Sequence, residues 1–171
     1  MDLLKRLPPV HEIDALIDYY FRSCNWIYRH VHQPSFLRSW NRIHDGETVD
    51  AIVVGTASAI SAVALCYMPF QYGSSTNALK ETLNDVTLTV LHQHAKLSTA
   101  YSLGLVEMLL IRSHYLTLSE ECSDEIWAVK NEVLKMATAI GLHQDPITSE
   151  VDREEAERRR WAWWHIMLLD R

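Results

Sequence analysis

The sequence contains few cysteines, glycines and prolines, and it has no excess of positive charge. Three cysteines in 171 residues, with no pair at CxxC spacing, exclude a disulfide-dense scaffold and a zinc site built from cysteines. Five glycines and five prolines, beside 48% hydrophobic and 22% charged residues, exclude a collagenous or disordered chain. A formal net charge of -6 provides no positive field for a phosphate backbone, so the composition argues against a nucleic-acid reader.

One uncharged stretch, residues 51–70, is long enough to cross a bilayer as a helix. Its small residues allow neighbouring helices to approach closely, and the next basic residue, Lys80, is too distant to anchor a membrane end. We therefore predict a central helix buried on all sides, with a membrane-associated helical protein as the alternative. The charged N-terminus lacks the continuous apolar region of a signal peptide.

Elsewhere the apolar residues recur at spacings of three and four, which is the period of one face of a helix. Residues 86–90 alternate valine and threonine like a strand, but the longer period on both sides favours a helix. We predict one all-α domain over residues 1–171, with about seven helices and no strand. The expected helices run from His11 to about Arg29, from Ser35 to about Ile43, within residues 51–70, from Leu79 to Tyr101, from Leu105 to Leu118, from Ser123 to just before Gly141, and from Ser149 or Asp152 onward.

Glycine and proline indicate where some of these helices end. Gly104 indicates a bend between the fourth and the fifth helix. Gly141 follows the sixth helix at the position of a left-handed cap, so we predict a positive φ there, and Pro146 prevents the helix from continuing. In the last helix, the tryptophans at 161, 163 and 164 cannot all face one side. At least two surfaces of that helix therefore need covering neighbours.

Nine histidines prompt a search for a metal or catalytic site, and their spacing argues against one. The histidines at 92 and 94 are two residues apart, and such a pair points in different directions on a helix. His30 and His32 lie outside the first predicted helix and could converge on a metal ion, but no acidic third ligand is nearby in the sequence. A GxSxG elbow and a glycine-rich phosphate loop are absent from the sequence. We predict no metal, cofactor or catalytic residue. The enzyme alternative that stays open uses His32 or His143 with a nearby carboxylate such as Asp145.

Several short motifs follow one another along the chain, and their order is informative. The first comprises His32, Pro34 and Phe36, after an amphipathic helix. The next are Leu105-x-Glu107-x-Leu109-Leu110 with Tyr115, Trp127 followed by Met136-Ala137, and Gly141-Leu142-His143-x-Asp145-Pro146. The last are Arg158-Arg159-Arg160, Trp163-Trp164 and Leu169-Asp170-Arg171. Together these motifs resemble the regulatory middle homology region of fungal zinc-cluster transcription factors.

The resemblance implies an all-α module that regulates a nuclear transcription factor by masking, effector response or partner contact, and that is not itself the DNA reader. Its partners would be the rest of the parent protein and a co-regulator or small-molecule effector. Zinc and DNA would be bound only through a cysteine cluster that this sequence lacks, and the chain would be the N-terminal portion of a larger regulatory domain. The matched residues would have structural roles: His32 and Pro34 at a helix junction, Gly141 as a cap, and Arg158 and Arg159 as partners of acidic groups inside the bundle.

Overall fold

The computed structural model describes residues 3–47, 49–68, 75–97, 100–119, 123–145 and 151–169, and all regular elements in these ranges are helical. Seven of the α-helices have twelve residues or more, which confirms the all-α prediction of about seven helices without a strand. A short 3-10 turn, Leu3–Arg6, precedes them. The helices are α1 (Val10–Ser23), α2 (Asn25–Tyr28), α3 (Gln33–His44), α4 (Ala51–Tyr67), α5 (Ser75–Leu97), α6 (Leu103–Leu118), α7 (Ser123–Ala139) and α8 (Arg153–Leu169).

Helix α4 is the centre of the bundle, and it packs against α1, α3, α5 and α6. It begins at the Asp50 side chain, which accepts a hydrogen bond from the Ile52 N–H at 2.8 Å. Every residue from Val54 to Leu65 is buried, which confirms the predicted helix buried on all sides. No helix in the described ranges has the length and apolarity needed to cross a membrane.

Gly55 allows three helices to meet closely. A Cβ at this position would lie 2.5 Å from the sulfur of Met108 on α6 and 3.2 Å from the Val90 side chain on α5. Thr87 on α5 also donates a hydrogen bond to the Gly55 carbonyl oxygen at 3.2 Å. The alternating valines and threonines around Thr87 are therefore helical, as predicted, because tertiary packing outweighs their β propensity.

Three predicted boundaries are wrong. The first helix ends at Ser23, and the short α2 follows a break at Cys24, where φ is -114°. Helix α5 ends at Leu97 instead of Tyr101. Gly104 does not mark a bend, since it is the second residue of α6, whose first turn is capped by the Ser102 hydroxyl. At Cys24 the apolar period continues past the point where the backbone ends the helix.

Helix α7 ends as predicted. Gly141 has a φ of +71°, its N–H donates to the Thr138 carbonyl oxygen at 3.1 Å, and the Leu142 N–H donates to the Ala137 carbonyl oxygen at 2.9 Å. These two bonds define a Schellman motif, and the buried Leu142 makes its apolar contact. Helix α8 then begins after Asp152, whose carboxylate accepts from the Glu155 N–H at 2.8 Å.

Candidate functional site

The arginine run on α8 places three guanidinium groups against three different parts of the bundle. Arg158 reaches α6, Arg159 reaches the end of α7, and Arg160 reaches the segment after α7. Neighbouring residues on a helix point about 100° apart, so a run of identical residues near the centre of a bundle contacts several elements. The motifs that the sequence analysis found separately therefore meet around one helix.

A buried ion pair joins Arg158 to Glu107 on α6. Arg158 donates from Nε to Glu107 Oε1 at 3.0 Å and from Nη2 to Oε2 at 2.7 Å, so the contact is bidentate. Glu107 is only 5% exposed. Burial raises the pKa of the Glu107 carboxyl, and the two hydrogen bonds from Arg158 act in the opposite direction. Removing either partner would leave an uncompensated charge in the bundle, which typically costs about 3 to 5 kcal/mol.

Arg159 and Arg160 make weaker contacts with the α7 end. Arg159 donates from Nη2 to the Ile140 carbonyl oxygen at 2.8 Å, and this satisfies one of the last carbonyl groups of α7. Arg160 Nη2 lies 3.5 Å from Asp145 Oδ1, and both side chains are about half exposed. An exposed pair of this kind contributes little, about 0 to 1 kcal/mol. The contacts of α8 therefore weaken from Arg158 to Arg160.

The His32, Pro34 and Phe36 motif forms the start of α3. His32 is the residue before the helix, and Pro34 lies in its first turn. The Ser35 hydroxyl donates to the His32 carbonyl oxygen at 3.1 Å and lies 3.0 Å from His32 Nδ1. Phe36 is buried in the core. Glu154 on α8 completes the contact, since its Oε1 lies 3.8 Å from His32 Nδ1.

A second ion pair also ties α3 to α8. Arg38 Nη2 donates to Glu154 Oε1 at 2.5 Å, in a half-exposed position. Helix α8 is thus held by charge pairs to α3 and to α6 at residues four positions apart, 154 and 158, which lie on one face.

The remaining motif residues lie at the edge of the bundle. Leu142 is buried, whereas His143 is exposed with its ring 6.1 Å from that of the half-buried Trp163. Trp164 is 49% exposed and meets Trp161 edge to face at 5.6 Å. The predicted site residues Pro146, Asp170 and Arg171 lie outside the described residues.

Three histidines that no sequence motif indicated form a cluster in the fold. The rings of His30 and His165 are 4.7 Å apart and those of His30 and His114 are 5.5 Å apart, with Tyr28 stacked on His30. Burial lowers the pKa of His114 and of His165 to about 4, and it lowers that of His30 well below the ordinary value. These residues are far apart in the chain, so no sequence spacing could have revealed the cluster.

The structure thereby separates His30 from the role considered for it beside His32. His30 contacts His114 and His165, whereas His32 contacts Ser35 and Glu154. In the part of the chain that the structure describes, no group of three or more histidine, cysteine, aspartate or glutamate side chains is placed to hold a metal ion.

Two cavities lie on either side of the Glu107 and Arg158 pair. One has a volume of about 270 Å³ and lies between the α2 to α3 junction and α8. The other has a volume of about 240 Å³ and lies between α3, the start of α4 and the start of α6. Val31, Glu107 and Arg158 line both. The ion pair is therefore a shared wall of two small cavities.

Comparison with known families identifies the family of this domain. The family model of the fungal specific transcription factor domain matches residues 17–171. The chain belongs to this family. The resemblance inferred from the motifs is thereby confirmed. Membership in a family of transcription factor domains favours a non-enzyme and gives no support to an enzyme based on His32 or His143.

Curated relatives of this domain are transcription factors. The chain is 28% identical to transcription factor FBD3 of Fusarium pseudograminearum, over 96% of this chain and 21% of that protein. It is 24% identical to the probable transcription factor sol4 of Alternaria solani, over 98% of this chain and 33% of that protein. A shorter match, 34% identical over 58 residues, is to the aurofusarin cluster transcription factor aurR2 of Gibberella zeae and covers 33% of this chain and 9% of that protein.

The domain spans about a fifth to a third of the length of its first two relatives named above. No solved structure matches the chain significantly.

Proposed function

We propose that this domain is a regulatory module of a longer nuclear transcription factor and the N-terminal portion of a larger regulatory domain. It modulates transcription by masking, by response to a small-molecule effector or by contact with a co-regulator, and it does not read DNA itself. The family and the names of the relatives support a role in transcription. The net charge of -6 supports a module that leaves DNA contact to another part of the protein.

The observation that carries the proposal is the buried ion pair between Glu107 and Arg158. This pair connects α8 to the central α6 and forms a wall of both cavities. Moving Arg158 away from Glu107 would leave a buried charge without its partner, which costs free energy. Helix α8 is therefore expected to occupy two discrete positions, one with the ion pair formed and one with it broken. A ligand or partner that contacts α8 differently in the two positions would shift their populations.

The module needs no cofactor and no catalytic group for this role. We propose that any zinc and any DNA contact belong to a cysteine cluster elsewhere in the parent protein. The arginine run supports this division, because each of its guanidinium groups already has a carboxylate or carbonyl partner in the bundle.

A reporter assay tests the proposal. The 171-residue chain is placed between a heterologous DNA-binding domain and an activation domain, and output is compared with a fusion that lacks the chain. We expect the chain to change output and Arg158→Gln to alter that change several-fold at equal protein level and equal promoter occupancy. Arg153→Gln is the matched control, because Arg153 lies on the same helix and is 94% exposed.

The proposal fails if output is the same with and without the chain at equal expression and occupancy. It also fails if Arg158→Gln and Arg153→Gln change reporter output equally, since the ion pair between Glu107 and Arg158 would then have no specific part in regulation.

A further inference from the structure

The larger of the two cavities has one cation without an acidic partner. Arg158 and Arg29 both line it, but Arg158 is neutralised by the bidentate contact with Glu107. Among the described residues, no carboxylate lies within 4.0 Å of the Arg29 guanidinium. Instead that group lies over the Trp161 ring, 5.8 Å from its centroid. The other acidic side chain of the lining, Glu157, lies 3.4 Å from Arg153. The cavity therefore presents a guanidinium without a paired carboxylate beside a flat aromatic wall.

The backbone of Arg29 is held in a conformation that arginine rarely adopts. Its φ of 40° and ψ of 43° make it the one non-glycine residue with positive φ in the described part of the chain. A left-handed arginine is strained, and such strain is concentrated at binding and catalytic sites because it fixes where a side chain points. Here the strained residue ends α2 at the rim of the cavity and directs its side chain to Trp161.

Two further residues that line this cavity have buried polar atoms without partners. Neither Asn25 Oδ1 nor His30 Nδ1 makes a hydrogen bond to any described residue. His30 is only 6% exposed. Five other buried polar atoms of the described residues also lack partners, three of them on the neighbouring His114 and His165. The atoms of Asn25 and His30 therefore offer hydrogen-bonding capacity in the lining of this cavity, and it is Arg29 and Trp161 that indicate a ligand.

We propose that this cavity binds a small planar organic acid. Its carboxylate pairs with Arg29, its ring lies against Trp161, and a hydroxyl group on the ring hydrogen-bonds toward Asn25 and His30. A volume of about 270 Å³ suits a one-ring or two-ring acid and is below the range typical of drug-sized ligands. The inference deepens the proposed regulatory function, because such an acid would be the effector to which the module responds.

A titration of the full 171-residue chain tests this site. The probes are benzoate, 4-hydroxybenzoate and indole-3-acetate, followed by calorimetry and by the indole N–H signals of a ¹⁵N-labelled sample. We expect saturable binding of at least one acid, with a shift of the Trp161 signal, which is assigned by its loss in Trp161→Phe. The neutral 4-hydroxybenzamide should bind at least about tenfold more weakly than the hydroxy acid, because the charge-assisted bonds to Arg29 are lost.

Arg29→Asn is the decisive variant, because asparagine tolerates left-handed backbone and carries no positive charge. It should weaken acid binding at least about tenfold. Arg22→Gln is the matched control, since Arg22 is an exposed arginine on α1 that pairs with Asp18, and it should leave binding unchanged. Thermal unfolding of both variants shows that each is folded.

The outcomes separate this inference from the proposed function. Absence of saturation by all three acids up to about 10 mM, or equal affinity of wild type and Arg29→Asn, overturns the site. Binding that Arg29→Asn abolishes, with no effect of the acid on the reporter, supports the site and counts against the effector response. If the chain represses the reporter but no acid changes its output, the regulatory proposal stands only as masking or as contact with a co-regulator.

Discussion

Acid is expected to destabilise this domain through the histidine cluster. Burial lowers the pKa of His114 and His165 to about 4 and that of His30 well below its ordinary value. In the unfolded chain a histidine titrates near 6.5. The unfolded state therefore takes up protons that the folded state does not, so the free energy of unfolding is complete above about pH 7 and falls as the pH decreases from 6.5 towards 4.

The size of the effect follows from these pKa values. One histidine with a pKa of about 4 when folded and about 6.5 when unfolded loses about 2 kcal/mol of stability between pH 8 and pH 5. His114 and His165 together give about 4 kcal/mol, and His30 adds to this. A domain with a total stability of about 5 to 15 kcal/mol would lose a large share of it.

Urea unfolding at pH 8, 7, 6 and 5, followed by circular dichroism, measures this loss. We expect a slope approaching about 1.4 kcal/mol per pH unit for each histidine between pH 6 and 5. His114→Phe and His165→Phe should each lower proton uptake on unfolding by about one proton, while His92→Gln, at an exposed position on α5, should not. Equal stability at pH 8 and pH 5, or an unchanged slope in both phenylalanine variants, would refute the reasoning.

Four further predictions concern the ion pair, the cap, the last helix and nucleic acid. Glu107→Ala should lower the free energy of unfolding in urea by about 3 kcal/mol, because it leaves Arg158 without its carboxylate partner inside the bundle. Removal of the exposed Arg153–Glu157 pair on α8 should cost less than about 0.5 kcal/mol. Gly141→Val should cost more than about 1 kcal/mol in the same assay, since a β-branched residue fits poorly at a φ of +71°, and a neutral effect would contradict the cap. Trp161 and Trp164, both more than 40% exposed, should promote self-association that sedimentation detects, and a monodisperse monomer at high concentration would contradict this. Fluorescence anisotropy at about 0.15 M salt should show no binding to duplex DNA with or without zinc, and micromolar binding with a steep salt slope would contradict the regulatory proposal.

Apolar spacing predicted most of the helices because it marks the face that each helix buries against its neighbours. The buried α4 follows from an uncharged run. The end of α7 follows from a glycine whose left-handed backbone lets the Gly141 and Leu142 N–H groups both donate to carbonyl groups of the last turn. The break at Cys24 was not predictable in this way, since the apolar period runs through it, and neither was the left-handed Arg29. Boundaries of this kind depend on tertiary contacts that a periodic pattern does not contain.

The residues of the candidate site were also predictable only in part. The family resemblance implied that Arg158 and Arg159 pair with acidic groups inside the bundle. It could not say that Glu107, 51 residues earlier, is the partner of Arg158, or that Arg159 donates to the Ile140 carbonyl oxygen. The histidine cluster and the unpaired atoms of Asn25 and His30 arise from segments that meet only in the folded chain. Long-range pairs of this kind carry the chemistry of the site, and a single sequence gives no signal for them.

The arginine run shows that a short basic motif does not by itself indicate where a domain binds an anion. Three consecutive arginines suggest a phosphate patch, yet their environments differ: Arg158 is in a buried bidentate pair, Arg159 binds a helix-end carbonyl group, and Arg160 meets an exposed carboxylate. A phosphate would have to displace an existing partner at each position, and the cost of doing so is greatest at Arg158, where the stranded carboxylate of Glu107 is 5% exposed. The cation of the larger cavity that has no carboxylate partner among the described residues is instead Arg29, which lies outside the arginine run. Recognition of an anion by this domain is therefore expected at the strained turn after α2 and not at the most basic stretch of the chain.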